Sequence, residues 1–174
     1  NTRKFVSYLL TCNIAEVAVI FFATLFVSLK YPILLPVHLL WINLLTDGLP
    51  ALALGVDPAA PDIMTRPPRK VKERIMSKEM IMMMFFVGLL MMAGTLWIFK
   101  YYKPHLNLEY ARTMAFTTLM FFQMWNVLNA RSEKSSLFKI GVFTNKYLMG
   151  AILISVLLQF IVLYTPLNAM FHTI

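Results

Sequence analysis

The chain has 174 residues, 59% of them hydrophobic and 14% charged, with a net charge of +8. Soluble domains average roughly 45–50% apolar and about 25% charged residues, so this composition, with a mean hydropathy of +0.69, argues against a soluble globule and for a membrane protein. The positive charge does not point to nucleic acid, because the basic residues stand between apolar runs, where they set orientation; the lone cysteine, Cys12, excludes an internal disulfide.

Five apolar runs follow in chain order, over 5–29, 34–56, 81–99, 111–128 and 147–164. Each is long enough to cross a hydrocarbon core of ~30 Å as a helix. Helix is the expected conformation because every backbone amide inside a bilayer must be bonded internally. The expected fold class is therefore an all-α membrane protein, one domain over 1–174, built as a bundle of five transmembrane helices. The second run is interrupted by Asp47-Gly48-Leu49-Pro50, where glycine and proline weaken a helix. Unwinding is expected near Asp47–Pro50, as in transporters that bind ions at broken helices. The loop 57–78 is long, basic and proline-rich. The chain starts at Asn1 without a signal-peptide pattern, which suggests an internal fragment.

Twelve of the 16 Lys and Arg residues collect on one side of these runs: Arg3, Lys4, Arg66, Arg69, Lys70, Lys72, Arg74, Lys78, Arg131, Lys134, Lys139 and Lys146. The positive-inside rule makes that side cytoplasmic. The N-terminus is thus expected in the cytoplasm and the last four residues on the opposite face. Trp97, Tyr101 and Tyr102 suit an interfacial belt, and His38, His105 and His172 read as interfacial polar residues near span ends.

Two acids stand inside spans, Glu16 and Asp47. An ionisable side chain there costs about 2.5–3.5 kcal/mol on insertion scales, which makes each a functional candidate. Asn13 precedes Glu16 by three residues and shares its helical face; Asn43 precedes Asp47 by four, with Thr46 beside it. Gln123, Asn126 and Asn129 recur at three-residue spacing in the fourth run. As bundle residues, Asn, Gln and Thr often only bond helix to helix, and Gln159 reads that way. As a set, carboxylates, amides and a hydroxyl are the oxygen donors that a hard cation such as Ca²⁺ takes. No His and Cys cluster favours zinc or copper.

The stretch Leu39-Leu40-Trp41-Ile42-Asn43-Leu44-Leu45-Thr46-Asp47-Gly48-Leu49-Pro50-Ala51 resembles the sixth membrane helix of sarcoplasmic-reticulum-type calcium P-type ATPases. Asn13-Ile14-Ala15-Glu16 resembles the ion-binding part of their fifth helix. Met64-Thr65-Arg66-Pro67-Pro68-Arg69 is similar to their loop between helices six and seven, and Gln123-Met124-Trp125-Asn126 to their eighth helix. The resemblance implies helices five to nine of such a pump, with Asn13, Glu16, Asn43, Thr46, Asp47 and Gln123 as ligands of transported Ca²⁺. Gln123 stands where those pumps carry a glutamate, which implies a weaker first site and one Ca²⁺ per cycle. The parent would use Mg²⁺ and ATP. The implied partners are the lipid bilayer and the remainder of the pump: the fourth helix and the phosphorylation and nucleotide domains. This chain has no phosphorylation motif and is not expected to hydrolyse ATP alone. A Na⁺ or Mn²⁺ pump, a passive channel and a non-transporting structural or regulatory bundle remain as alternatives.

Overall fold

A computed structural model of the chain describes residues 1–26, 31–58, 76–103, 107–131 and 141–173. Helix α1 spans Thr2–Phe26, α2 Pro36–Trp41, α3 Gly48–Gly55, α4 Lys78–Tyr102, α5 Leu108–Asn129, α6 Lys146–Tyr164 and α7 Asn168–Phe171. A π-helical turn, Ile42–Thr46, joins α2 to α3, and a short 3₁₀ turn, Val142–Thr144, precedes α6. The described residues form an all-α membrane bundle. Most of the basic loop, including Arg66, Arg69 and Lys70, lies outside them.

Local chemistry sets the helix starts. Ser77 Oγ accepts from the Met80 amide at 3.2 Å, Asn107 Oδ1 from Tyr110 at 2.8 Å and Asn145 Oδ1 from Leu148 at 2.9 Å. Each satisfies an orphan donor of a first turn. Pro36 opens α2, where its missing N–H has no consequence.

Among the described residues, four elements are long and apolar enough to cross a membrane: Thr2–Phe26, Pro36–Gly55, Lys78–Tyr102 and Lys146–Tyr164. The fourth expected span, 111–128, falls within α5, which is more polar than the others. It carries Glu109, Arg112, Thr113, Gln123, Asn126 and Asn129. The reason is its place in the bundle: Ala111, Ala115, Phe116, Leu119, Met120, Gln123 and Val127 are wholly buried. A helix sheathed by protein satisfies its polar groups on neighbours and needs less apolar surface.

The expected interruption of the second span is present one turn earlier, and as a widened turn rather than opened backbone. Asp47 N–H bonds to the Ile42 carbonyl at 2.8 Å, five residues back, while Gly48 through Gly55 is helical. Pro50 accounts for the displacement. It has no N–H for the carbonyl four residues before it, and its ring crowds that carbonyl, so the disturbance falls at Thr46. Gly48 is not the cause: a Cβ there would meet only the Asn43 carbonyl, at 3.6 Å.

α1 packs chiefly on α4, α4 on α5, and α3 on α6. Two glycines permit the close approaches of α4. A Cβ on Gly88 would lie 2.8 Å from Ile14 Cγ2 and 3.4 Å from the Ala15 amide nitrogen; one on Gly94 would strike the Phe122 ring at 2.6 Å. Small residues are how membrane helices bring their backbones together. Gly88→Val is therefore expected to push α4 off α1 beside Glu16, lowering stability by about 1–3 kcal/mol. Thermal unfolding in detergent reads this; a midpoint equal to the parent would refute the close contact.

Apolar packing forms two clusters. One gathers Val19, Ile42, Met91, Phe99, Phe116, Leu119 and Val162. The other gathers Tyr8, Cys12, Ala51, Leu54, Val127 and Leu148. Along α1, α5 and the second span, the polar residues fall between these two clusters.

Candidate cation site

Glu16 comes from α1, Asn43 and Asp47 from the π turn and its end, and Gln123 from α5. These four converge. Asn43 Nδ2 donates to Glu16 Oε2 at 2.5 Å. Gln123 Nε2 donates to Glu16 Oε1 at 2.9 Å and to Asp47 Oδ2 at 3.2 Å. One amide nitrogen thus sits between two carboxylates. Glu16, Asp47 and Gln123 are 4%, 1% and 0% exposed, so all three are withdrawn from solvent and lipid. Two acids that share one amide and meet only neutral donors leave room for a counter-charge, because paired like charges in a low dielectric repel strongly.

The π turn is what aims Asn43 and Asp47. The Ile42 carbonyl accepts the Asp47 amide and also the Thr46 hydroxyl, at 3.0 Å. Asn43 Nδ2 reaches both the Leu39 carbonyl, at 3.0 Å, and Glu16. Single wide turns of this kind recur at functional sites.

The six residues singled out in the sequence are not placed alike. Thr46 is buried beside Asp47, but its hydroxyl is turned back to its own helix. Asn13 lies one turn before Glu16, is exposed, and makes no side-chain hydrogen bond to a described residue. Asn126 is directed to the Cys12 sulfur at 3.9 Å, and Asn129 is exposed. Gln159 does bond between helices, to Thr117 at 3.2 Å.

Tyr8 is a site residue that the sequence reading passed over. Its hydroxyl donates to Asp47 Oδ1 at 2.9 Å, so both Asp47 oxygens are engaged. Tyr8, Cys12 and Glu16 recur at four-residue spacing on one stripe of α1, and that stripe was the available signal.

Gln123 Oε1 is buried and has no hydrogen-bond partner among the described residues. An unpaired buried carbonyl costs about 1–3 kcal/mol. Rotating the amide by half a turn would present that oxygen to the carboxylates, which is favourable only with a cation between them. The donor set of two carboxylates and two amides suits a hard cation.

The family model described as "Cation transporting ATPase, C-terminus" matches residues 31–174. The chain belongs to that family. Its similarity to a "Calcium-transporting ATPase" of Bacillus subtilis (strain 168) is 43% identity across the whole chain and 20% of the relative. A "Calcium-transporting ATPase 1" of Bacillus cereus (strain ATCC 10987 / NRS 248) is 40% identical over 95% of the chain and 20% of the relative. The human "Calcium-transporting ATPase type 2C member 1" is 35% identical over 99% of the chain and 19% of the relative. The chain therefore spans about a fifth of the length of these relatives. Membership and the apolar helices make it an integral, multi-pass membrane protein.

Proposed function

We propose that this chain is the ion-holding membrane part of an ATP-driven pump that moves Ca²⁺ out of the cytoplasm, of the sarcoplasmic-reticulum type. The observation that carries the reading is the convergence of Glu16 and Asp47, from two different spans, on the Gln123 amide. The calcium-transporting relatives support the choice of ion.

In this reading Ca²⁺ displaces the Gln123 N–H from the carboxylates and takes Glu16 and Asp47 as charged ligands. Asn43, Thr46 and Gln123 add neutral oxygens, and Asn13 does so from the open side of α1. MgATP is used by domains outside this chain, and the loop 57–78 contacts them on the cytoplasmic side, where the N-terminus also lies. Coupling then requires that the two states of the pump differ in affinity for the ion.

The test is ATP hydrolysis by the full-length protein, titrated separately with Ca²⁺, Mn²⁺ and Na⁺, with equilibrium ⁴⁵Ca²⁺ binding alongside. Stimulation by micromolar Ca²⁺ with one ion bound is expected, since Gln123 supplies an amide rather than a third carboxylate. Stimulation by Na⁺ alone would overturn the ion assignment. Two bound ions would overturn the stoichiometry while leaving the pump.

A further inference from the structure

His38 occupies the first turn of α2, at a span end as its place in the sequence suggests, and is wholly buried within the protein. Its Nε2 lies 2.6 Å from the Phe171 carbonyl, and its Nδ1 lies 3.3 Å from the Leu35 backbone nitrogen. A carbonyl only accepts and a backbone N–H only donates. These partners fix the neutral ring with the proton on Nε2 and a bare Nδ1.

The ring stacks on Phe116 of α5, with centroids 4.5 Å apart, and lies parallel to Phe171 at 6.3 Å. Trp41 meets Phe171 edge-on at 5.1 Å. Phe171 belongs to the turn 165–173, which closes on itself through the Thr173 amide and the Asn168 carbonyl at 3.0 Å. His38 therefore joins three things: the start of α2, the middle of α5 and that turn. The next residue of α2, Leu39, accepts through its carbonyl from the Asn43 side-chain amide of the cation site.

We propose that His38 is a proton-operated latch that fastens the turn 165–173 to the start of the half-helix leading into the cation site. A second proton must go to Nδ1. Nδ1–H would then face the Leu35 N–H, two donors opposed, and the bond that caps α2 is lost. The Phe116 face gives the imidazolium some cation–π attraction, but it supplies no acceptor for the new N–H. Among the described residues, the charged or titratable groups that face His38 are Arg112 of α5, which is held on the Pro32 carbonyl at 2.8 Å, and His172 of the turn itself. Neither offers a negative charge, so protonation is relieved by release of the ring. The released ring takes up its proton in the ordinary histidine range of about pH 5 to 8, so acid favours the open state. The latch is closed at neutral pH and opens in acid on the face that carries the turn, freeing the start of α2 to move.

The test is amide hydrogen exchange of residues 167–173 in the membrane-embedded native protein, in nanodiscs without Ca²⁺ and corrected for intrinsic rates. Protection is expected to fall severalfold, up to about tenfold for one proton, between pH 7.5 and 5.5 in the parent. It should stay unchanged in His38→Gln, where the amide keeps one donor and one acceptor but does not titrate. The acid response should persist in His172→Gln. A pH-independent parent overturns the proposal, as does an equal response in His38→Gln or a response abolished by His172→Gln. Should His38→Gln fail to fold, the parent and His172→Gln decide the matter. Because the readout is local opening of the turn, it stands or falls apart from calcium transport.

Discussion

If the proposed function holds, Asp47→Asn is expected to weaken Ca²⁺ binding by roughly 100-fold or more, equivalent to ~2.7 kcal/mol, and to abolish Ca²⁺-stimulated ATP hydrolysis by the full-length protein at micromolar ion. Asp47 lies at the meeting point of the π turn, α1 and α5. Its Oδ1 accepts from Tyr8 at 2.9 Å and its Oδ2 from Gln123 at 3.2 Å. Asparagine preserves the shape and one acceptor oxygen, so the packing around it should hold. What disappears is one of the two negative charges, in surroundings where charge acts with little screening. Ion-free thermal stability should therefore be equal to or above that of the parent, because the repulsion between Glu16 and Asp47 is gone. Affinity within threefold of the parent would show that the ion is held elsewhere. Stability lost together with affinity would show that Asp47 is structural.

Much of this site was legible in the sequence, and the omissions have physical causes. Glu16 and Asp47 announce themselves because acids are costly in a spanning helix. Asn43 follows by helical spacing. Tyr8 did not stand out, since an aromatic near the start of an apolar run has many ordinary roles; its importance depends on a partner 39 residues away. The interruption of the second span was readable as an event but not as a position. Proline acts on the carbonyl of the preceding turn, so its effect appears before the residue that causes it. The burial of His38 was not legible, because nothing local announces the arrival of Phe171, 133 residues later.

α5 shows the converse. Its polar residues make it a weaker span by composition, yet they place it correctly at the centre. Gln123 bonds to α1 and to the end of the π turn, while Thr117 bonds to α6. Hydropathy marks helices that face lipid, whereas much of α5 is buried in protein. Asp57 was equally opaque. Nothing in the basic loop that it heads marks it, yet it is 4% exposed and joins the ends of four helices.

That junction supports the other large expected effect: Asp57→Ala should destabilise the protein by about 3–5 kcal/mol, because it strands a buried guanidinium. Asp57 Oδ1 accepts from Arg131 Nε at 3.1 Å and from Asn145 Nδ2 at 2.8 Å, and Oδ2 accepts from Lys4 Nζ at 2.6 Å. The Arg131 side chain is 1% exposed; its remaining nitrogens donate to the Gly141 carbonyl at 2.9 Å and to Thr144 Oγ1 at 2.6 Å. Lys4 starts α1, Asp57 follows α3, Arg131 follows α5 and Asn145 caps α6, so this acid ties four helix ends together. Burial by itself would raise the Asp57 carboxyl. Hydrogen bonds from Lys4 and Asn145, with the charges of Lys4 and Arg131, outweigh it and hold the group below the usual carboxylate range. A depressed native value stabilises the fold fully above the ordinary aspartate pKa of about 3.9. That contribution is lost as the pH falls from there through the native value. Thermal unfolding in detergent across pH 2.5–7 should therefore show an acid-side loss that Asp57→Ala lacks. The double change Asp57→Leu with Arg131→Met should recover most of the stability at neutral pH, since neither ion then has to be desolvated. If the double variant were as unstable as Asp57→Ala, the four helix ends would depend on the hydrogen-bond network and not on the ion pair.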